Sequence, residues 1–284
     1  MSPNPEAMIR TAIAPTPVPA ATSPVAPAPR AALRWALARV EGRRLIAHPL
    51  FVLGMAVSIL FTVVGGSDGG GGLMALSGGI FLFVGAGLWT FVVACLATSR
   101  ERRDGAEDFY LGQPMTPRLR IEAALLSTAW PALAGTALIA VAALTIAGPD
   151  LTLDSGDHHR PLRPLELAQG PVYLMFVGCL GVFVGSWTKR AYPALLGAVI
   201  LFMPPVAWLP WFVYGDDVSR DVWDRDWLAG AAVGWHVVGI AGLAALAAAG
   251  AMARHDRRPR VALIALAALA AAVAGTSLGW PAGM

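Results

Sequence analysis

Few side chains in this sequence are of types that do chemistry, and fewer are spaced for it. Asp154, Asp157, His158 and His159 crowd one polar stretch. They offer the carboxylate and imidazole groups that a divalent cation takes, although the stretch also reads as a solvated loop. His236 is the one ionisable side chain well inside an apolar run. Such a residue marks a pathway or relay, or else satisfies itself against a neighbouring carbonyl or hydroxyl. Gly275 to Gly279 reads GTSLG, a formal match to the nucleophile elbow GxSxG. That motif needs a strand-to-helix turn with His and Asp partners, and here it ends an apolar run. A phosphate-cradling loop needs a lysine directly before Ser or Thr. Lys189, the only lysine, follows Thr188 and precedes Arg190, so any ATP use is expected from another polypeptide. Cys95 and Cys179 both lie in apolar runs and are expected as buried thiols, not as a disulfide framework. No catalytic residue, cofactor, metal or nucleic-acid partner is expected, and the chain is not expected to be an enzyme by itself.

The richest constellation is a charged stretch, SRERRDGAEDFYLGQPMTPRLRIE, from Ser99 to Glu122. It mixes both charge signs with Phe109, Tyr110 and Leu111, then stops at Gly112 and Pro114. Arginines alone would suffice for a loop that only fixes orientation. The segment from Arg100 to Leu111 reads as a short helix with an apolar tip on a charged base, suited to docking a soluble partner.

The elements that must position these residues are membrane spans. Of 284 residues 56% are hydrophobic and 14% charged, against roughly 25% charged in an ordinary soluble domain. The apolar residues fall in runs near the length of about 20 that crosses a hydrocarbon core. Seven such segments are expected, at about 50 to 65, 73 to 98, 121 to 147, 170 to 187, 191 to 213, 227 to 253 and 261 to 279. The fifth contains Pro204, Pro205 and Pro210, which suggest a broken or partly re-entrant end. The last is mostly alanine and the least span-like. Residues 1 to 29, rich in Pro, Ala, Ser and Thr, read as a disordered cytoplasmic tail. Residues 31 to 48 read as a short interfacial helix ended by Pro49, with Leu33, Ala36, Leu37 and Val40 on one stripe and Arg34, Arg39 and Arg43 outside it. Gly65 to Gly72 reads as an external turn. Gly181 with Gly185, and Gly230 with Gly234, form small-xxx-small faces expected to serve internal packing.

Basic residues set the orientation, because short loops rich in them stay cytoplasmic. With the N-terminus inside, Arg34, Arg39, Arg43 and Arg44, then Arg100, Arg102, Arg103, Arg118 and Arg120, then Lys189 and Arg190, then Arg254, Arg257, Arg258 and Arg260 all fall inside. The alternate loops are acidic, with Asp150, Asp154, Asp157, Glu166, Asp216, Asp217, Asp221, Asp224 and Asp226. The preference for Arg over Lys, with abundant Ala and Gly, matches a GC-rich bacterial genome, so a multi-pass protein of a bacterial plasma membrane is expected.

Two stretches, ARVEGRRLIAHPLF from Ala38 to Phe51 and SRERRDGAEDFYLGQPMTPRLR from Ser99 to Arg120, resemble the permease subunits of type 2 ATP-binding cassette (ABC) exporters, particularly the short permeases of actinobacteria. The resemblance covers roughly Ala31 to Ala253 and implies a six-span core, so the seventh segment departs from it. It implies that the first stretch is an interfacial connecting helix, with Glu41, Arg43 and Arg44. The second would be a coupling loop, residues 99 to 120, against the ATPase. By position Arg100, Glu101, Arg102, Arg103, Gly105, Glu107, Asp108, Leu111 and Pro114 would form that surface, with Phe109 at its apolar tip and His236 as a pathway candidate.

The expectation is therefore an all-α polytopic bundle of six or seven spans, a permease domain over residues 30 to 284, exporting a drug-like, lipid-like or amphipathic substrate. Its partners would be a separate ABC ATPase subunit, a second permease chain and membrane lipids. Sparse intramembrane charge argues against an ion-driven carrier. A non-transporting scaffold or immunity protein would dock a different partner on the same loop. A membrane-embedded lipid-modifying enzyme would need paired acids or a Ser, His and Asp set near one face.

Overall fold

The computed structural model describes residues 29–66, 83–105, 116–146, 152–155, 158–161, 164–188, 196, 231–255 and 259–278. Residues 34–284 make one compact unit. The described residues are helical apart from one short ribbon. In order they form α1 (Arg30–Ile46), α2 (Pro49–Gly66), a π-turn (Phe83–Gly87) leading into α3 (Leu88–Arg103), α4 (Pro117–Ser127), α5 (Ala129–Ile146), β1 (Thr152–Ser155), β2 (His158–Pro161), α6 (Pro164–Trp187), α7 (Ala231–Ala253) and α8 (Pro259–Leu278). The expected fifth segment, the tail before residue 29 and most of the Gly65 to Gly72 turn lie outside the described residues.

Among the described residues two stretches are long and apolar enough to cross a membrane, Pro117–Val141 and Gly170–Trp187. A third arises if Arg30–Ile46 and Pro49–Leu60, bent by 58° at their junction, count as one span. Val237–Ala253 and Arg260–Gly275 are shorter apolar helices. The outward faces are apolar as well: Leu53 and Leu60 on α2, Leu133 and Val141 on α5, and Leu263, Leu266 and Val273 on α8 are exposed. Hydrocarbon tolerates such a surface and water does not.

α6 is the hub, packing against α3, α5 and α7, while α8 packs on α7. Phe91, Val92, Tyr173, Val177 and Ile240 form the largest buried cluster where α3, α6 and α7 meet. Small residues allow the helices this close. A Cβ at Gly181 would stand 2.5 Å from the Phe91 carbonyl oxygen, and one at Gly185 would stand 2.6 Å from that of Cys95. This pair thus serves internal packing, as the sequence suggested. α3 and α6 run parallel, since Gly181 meets Phe91 and, four residues on, Gly185 meets Cys95. α7 continues the set in the same direction, with Gly250 against the Phe183 ring. α8 returns antiparallel, Gly242 lying on Ala268 and Ala272 and Gly275 on Gly239. Cys95 and Cys179 are free and buried, as expected.

Polar groups inside this bundle are satisfied locally. Ser58 Oγ donates to the Gly54 carbonyl at 2.8 Å and accepts the Ala86 N–H at 3.2 Å, which occupies a backbone donor in the π-turn. Thr90 donates to the Ala86 carbonyl at 2.6 Å. Between α4 and α5 the Thr128 hydroxyl turns back to the Leu125 carbonyl at 2.7 Å. The break falls there because Pro131, in the next turn, has no N–H to continue the ladder.

One local expectation is corrected, and one helix face is defined. The stretch around Asp154 and His159 is an antiparallel ribbon with Asp154 opposite His159 and Ser155 opposite His158. Gly156 and Asp157 are the two residues between the strands, and a glycine-containing pair of that length is a hairpin signal. On α1, the buried positions are Ala38, Gly42 and Leu45, with Glu41 half-buried beside them. Ala36 and Val40 of the apolar stripe are exposed together with Trp35, on a different side of the helix from these buried positions. Close approach decides this: the Trp130 indole occupies the space a side chain at Gly42 would need. Two small residues one turn apart thus outweigh the larger apolar ones.

Candidate functional site

Helix direction gathers the basic residues at one end of the bundle. α3, α6 and α7 run parallel, so Arg100 and Arg103 at the end of α3, Trp187 at the end of α6 and Arg254 just past α7 share that end, where α8 begins with Arg260. α4 starts there too, because α5, which follows it, runs against α6: Thr128 meets Gly178, and Leu138, further on, packs on the Ala86 and Leu174 cluster.

Arg100 to Arg103 are the last turn of the long helix α3 and do not begin a separate short helix, as the sequence had suggested. The ladder runs on unbroken through Asp104, whose N–H reaches the Arg100 carbonyl at 2.9 Å. Gly105 then ends it at φ +68, with nothing near enough to meet a Cβ. Only glycine adopts that left-handed turn without steric cost. Asp104 sits between two guanidiniums, 3.5 Å from Arg100 Nε and 3.6 Å from Arg103 Nε. The arginines also lie at the carbonyl end of the helix, where positive charge is favoured. Glu101 and Arg102 belong to the same turn, but their side chains lie outside the described part. Glu107, Asp108, Phe109, Leu111 and Pro114 also lie outside the described residues.

The far side of this loop is anchored by a cap and an ion pair. Thr116 is extended (φ −70, ψ 147), and its hydroxyl accepts the Leu119 N–H at 3.3 Å, with Pro117 at the first helical position. One turn in, Glu122 accepts Arg118 Nε at 2.7 Å on one oxygen and Arg34 Nη1 at 3.5 Å on the other. Glu122 is 19% exposed and Arg34 38%. A single carboxylate therefore joins α1 to the end of the loop. Eight residues further along each stretch, Gly42 receives Trp130 in the first turn of α5, so α1 runs beside α4 and the start of α5. Glu41 and Arg44 pair at 3.0 Å on the exposed side of α1, next to the exposed Arg43.

A second tie lies where α6 and α7 end. Trp187 Nε1 donates to the Gly250 carbonyl at 3.1 Å, and the Arg254 guanidinium stands 5.9 Å over the indole while donating to the Ser186 carbonyl. This cation covers the carbonyl end of α6 and packs on an aromatic face.

Sequence reasoning named Arg100, Arg103, Gly105, Glu41, Arg43 and Arg44, but not the Arg34, Glu122 and Trp130 contacts that bring α1 to the loop. The spacing of Arg118 and Glu122, four apart on a helix, was the one readable signal. His236 falls within α7, and its side chain lies outside the described part. GTSLG begins in the last turn of α8, not at a strand-to-helix turn. Among the described residues no three His, Cys, Asp or Glu side chains are grouped to hold a metal ion. No protein family, curated protein or solved structure matches the chain.

Proposed function

We propose that the chain is the membrane-spanning permease subunit of an ATP-driven ABC transporter, exporting a drug-like, lipid-like or amphipathic substrate with a separate ATPase subunit. The observation that carries this reading is the Arg34–Glu122–Arg118 bridge. A partner pressing on the loop between α3 and α4 would move α4, and through Glu122 would move α1 with it. The loop's other end is fixed to α3, which lies against α6 at Gly181 and Gly185. A push at the loop would thus reach two spans and the bent α1–α2 junction together, which is what a ligand-driven switch between two permease states needs.

In this reading α1 lies in the cytoplasmic interface of a bacterial plasma membrane, presenting the exposed Trp35 and Val40 with Arg39 and Arg43 to headgroups. α2 to α8, with the segment between α6 and α7, make six or seven spans. Two such chains, identical or related, would meet around the pathway, with His236 as a lining candidate.

The test is purification of the tagged chain from its native membrane in mild detergent, with mass spectrometry of what accompanies it. Recovery of an ATPase carrying a phosphate-binding loop, lost when Phe109 and Leu111 are changed to Asp, is the expected result. Absence of any ATPase under conditions that preserve a known transporter complex would overturn the proposal.

A further inference from the structure

α1 and α2 meet at one residue. The His48 N–H bonds the Leu45 carbonyl at 3.2 Å and so closes α1, just after the Ala47 N–H has reached the Arg43 carbonyl at 2.9 Å. The same residue opens α2, since its carbonyl accepts the Val52 N–H at 3.0 Å and its Nδ1 accepts the Leu50 N–H at 3.3 Å. Pro49 occupies the first position of α2 and has no N–H, which makes the Leu50 N–H the first donor in need of a cap. An imidazole nitrogen here takes the place usually held by an Asn or Asp oxygen. The chain turns by 58° across this junction.

We propose that His48 is a proton-sensitive cap: neutral, with its hydrogen on Nε2, it holds the first turn of α2 and the bend; protonated, it releases them. Nδ1 accepts a hydrogen bond only in that neutral tautomer. Protonation turns the acceptor into a donor facing another donor, which breaks the cap; the two helix dipoles act on the added charge in opposite senses, the start of α2 opposing it and the end of α1 favouring it. The direction follows: the cap is intact at the upper end of the range in which imidazoles change charge, about pH 5 to 8, and is lost towards its lower end. His48 is half-buried, so protons reach it. The charged groups in the last two turns of α1 are Glu41, Arg43 and Arg44, of which Glu41 and Arg44 already pair. α2 carries no titratable side chain. Leu50, two residues on, packs on the cluster of Phe91, Val92, Tyr173, Val177 and Ile240, which holds no carboxylate, guanidinium or imidazole. Of these groups His48 is the one imidazole. The inference does not depend on the transporter reading, because its test reads the bend itself.

The test places spin labels at two exposed positions, Arg39→Cys on α1 and Leu60→Cys on α2, with Cys95 and Cys179 changed to Ser, in lipid nanodiscs. Inter-label distances are measured at about pH 8 and about pH 5. Acidification is expected to lower the ratio of bent to released population about five-fold, the typical effect of losing a helix cap. His48→Asn, which keeps an acceptor that does not titrate, should hold the bent distance at both pH values, and His48→Ala should show the released distribution at both. The proposal fails if wild type gives one distribution at both pH values, or if His48→Asn responds to acid as wild type does. Should His48→Ala not insert, the wild-type and His48→Asn arms decide the question by themselves.

Discussion

Arg34 and Glu122 lie 88 residues apart in the chain and face each other at 3.5 Å, with the second oxygen of the same carboxylate held by Arg118 at 2.7 Å. One acidic side chain thus serves two helices, and it stands at the end of a loop in which charges of both signs are crowded.

Replacing Glu122 with Gln should loosen α1 from α4. Because both partners are partly exposed, the expected loss for the Arg34 pair is about 0.5 to 1 kcal/mol. A double-mutant cycle of Arg34→Ala and Glu122→Gln, read by thermal unfolding in detergent, measures it. A coupling indistinguishable from zero would remove the bridge from any mechanical role. In the transporter reading Glu122→Gln should also lower substrate-stimulated ATPase activity while leaving ATPase binding unchanged.

Gly185→Val and Gly105→Ala should both destabilise, for different reasons. A side chain at Gly185 has nowhere to go, as its Cβ would lie 2.6 Å from the Cys95 carbonyl oxygen and 2.9 Å from Thr98 Cβ. Forcing α3 and α6 apart should cost about 1 to 3 kcal/mol. Gly105 has open space but a φ of +68, so alanine there should cost about 1 kcal/mol from backbone strain alone. A larger residue should worsen the first site steeply and the second little, which thermal shifts for Ala, Val and Leu at each position will show.

Thr116→Ala removes the acceptor of the Leu119 N–H at the start of α4 and should cost about 1 kcal/mol, with Thr116→Asp restoring stability. Hydrogen exchange in the first turn of α4 is the direct measurement, with faster exchange expected in the alanine variant only.

α8 gives the sharpest test of the span count. Its buried positions, Val261, Ala268, Ala272 and Gly275, form one narrow stripe towards α7, while Leu263 and Leu266 are each 64% exposed. If that outer face meets lipid, Leu266→Arg near the helix centre should cost about 2.5 to 3.5 kcal/mol of insertion free energy. A C-terminal reporter should then reach the far side of the membrane less often than in wild type. Equal translocation of both would argue for a helix that does not cross.

How much was readable in advance depended on range. Helix, stop and cap follow from neighbouring residues: apolar runs of span length, Gly105 at the end of α3, and Thr116 with Pro117 at the start of α4 act over one or two turns and are written locally. The alternation of basic and acidic loops is likewise written in the sequence. Which face of α1 is buried was not, because Ala38 and Gly42 are chosen by Trp130, and nothing near α1 in sequence announces that indole. The same holds for Arg34 with Glu122 and for Gly185 with Cys95. Those contacts rest on close approach between segments distant in the chain, and only the tertiary structure decides which small residue meets which neighbour.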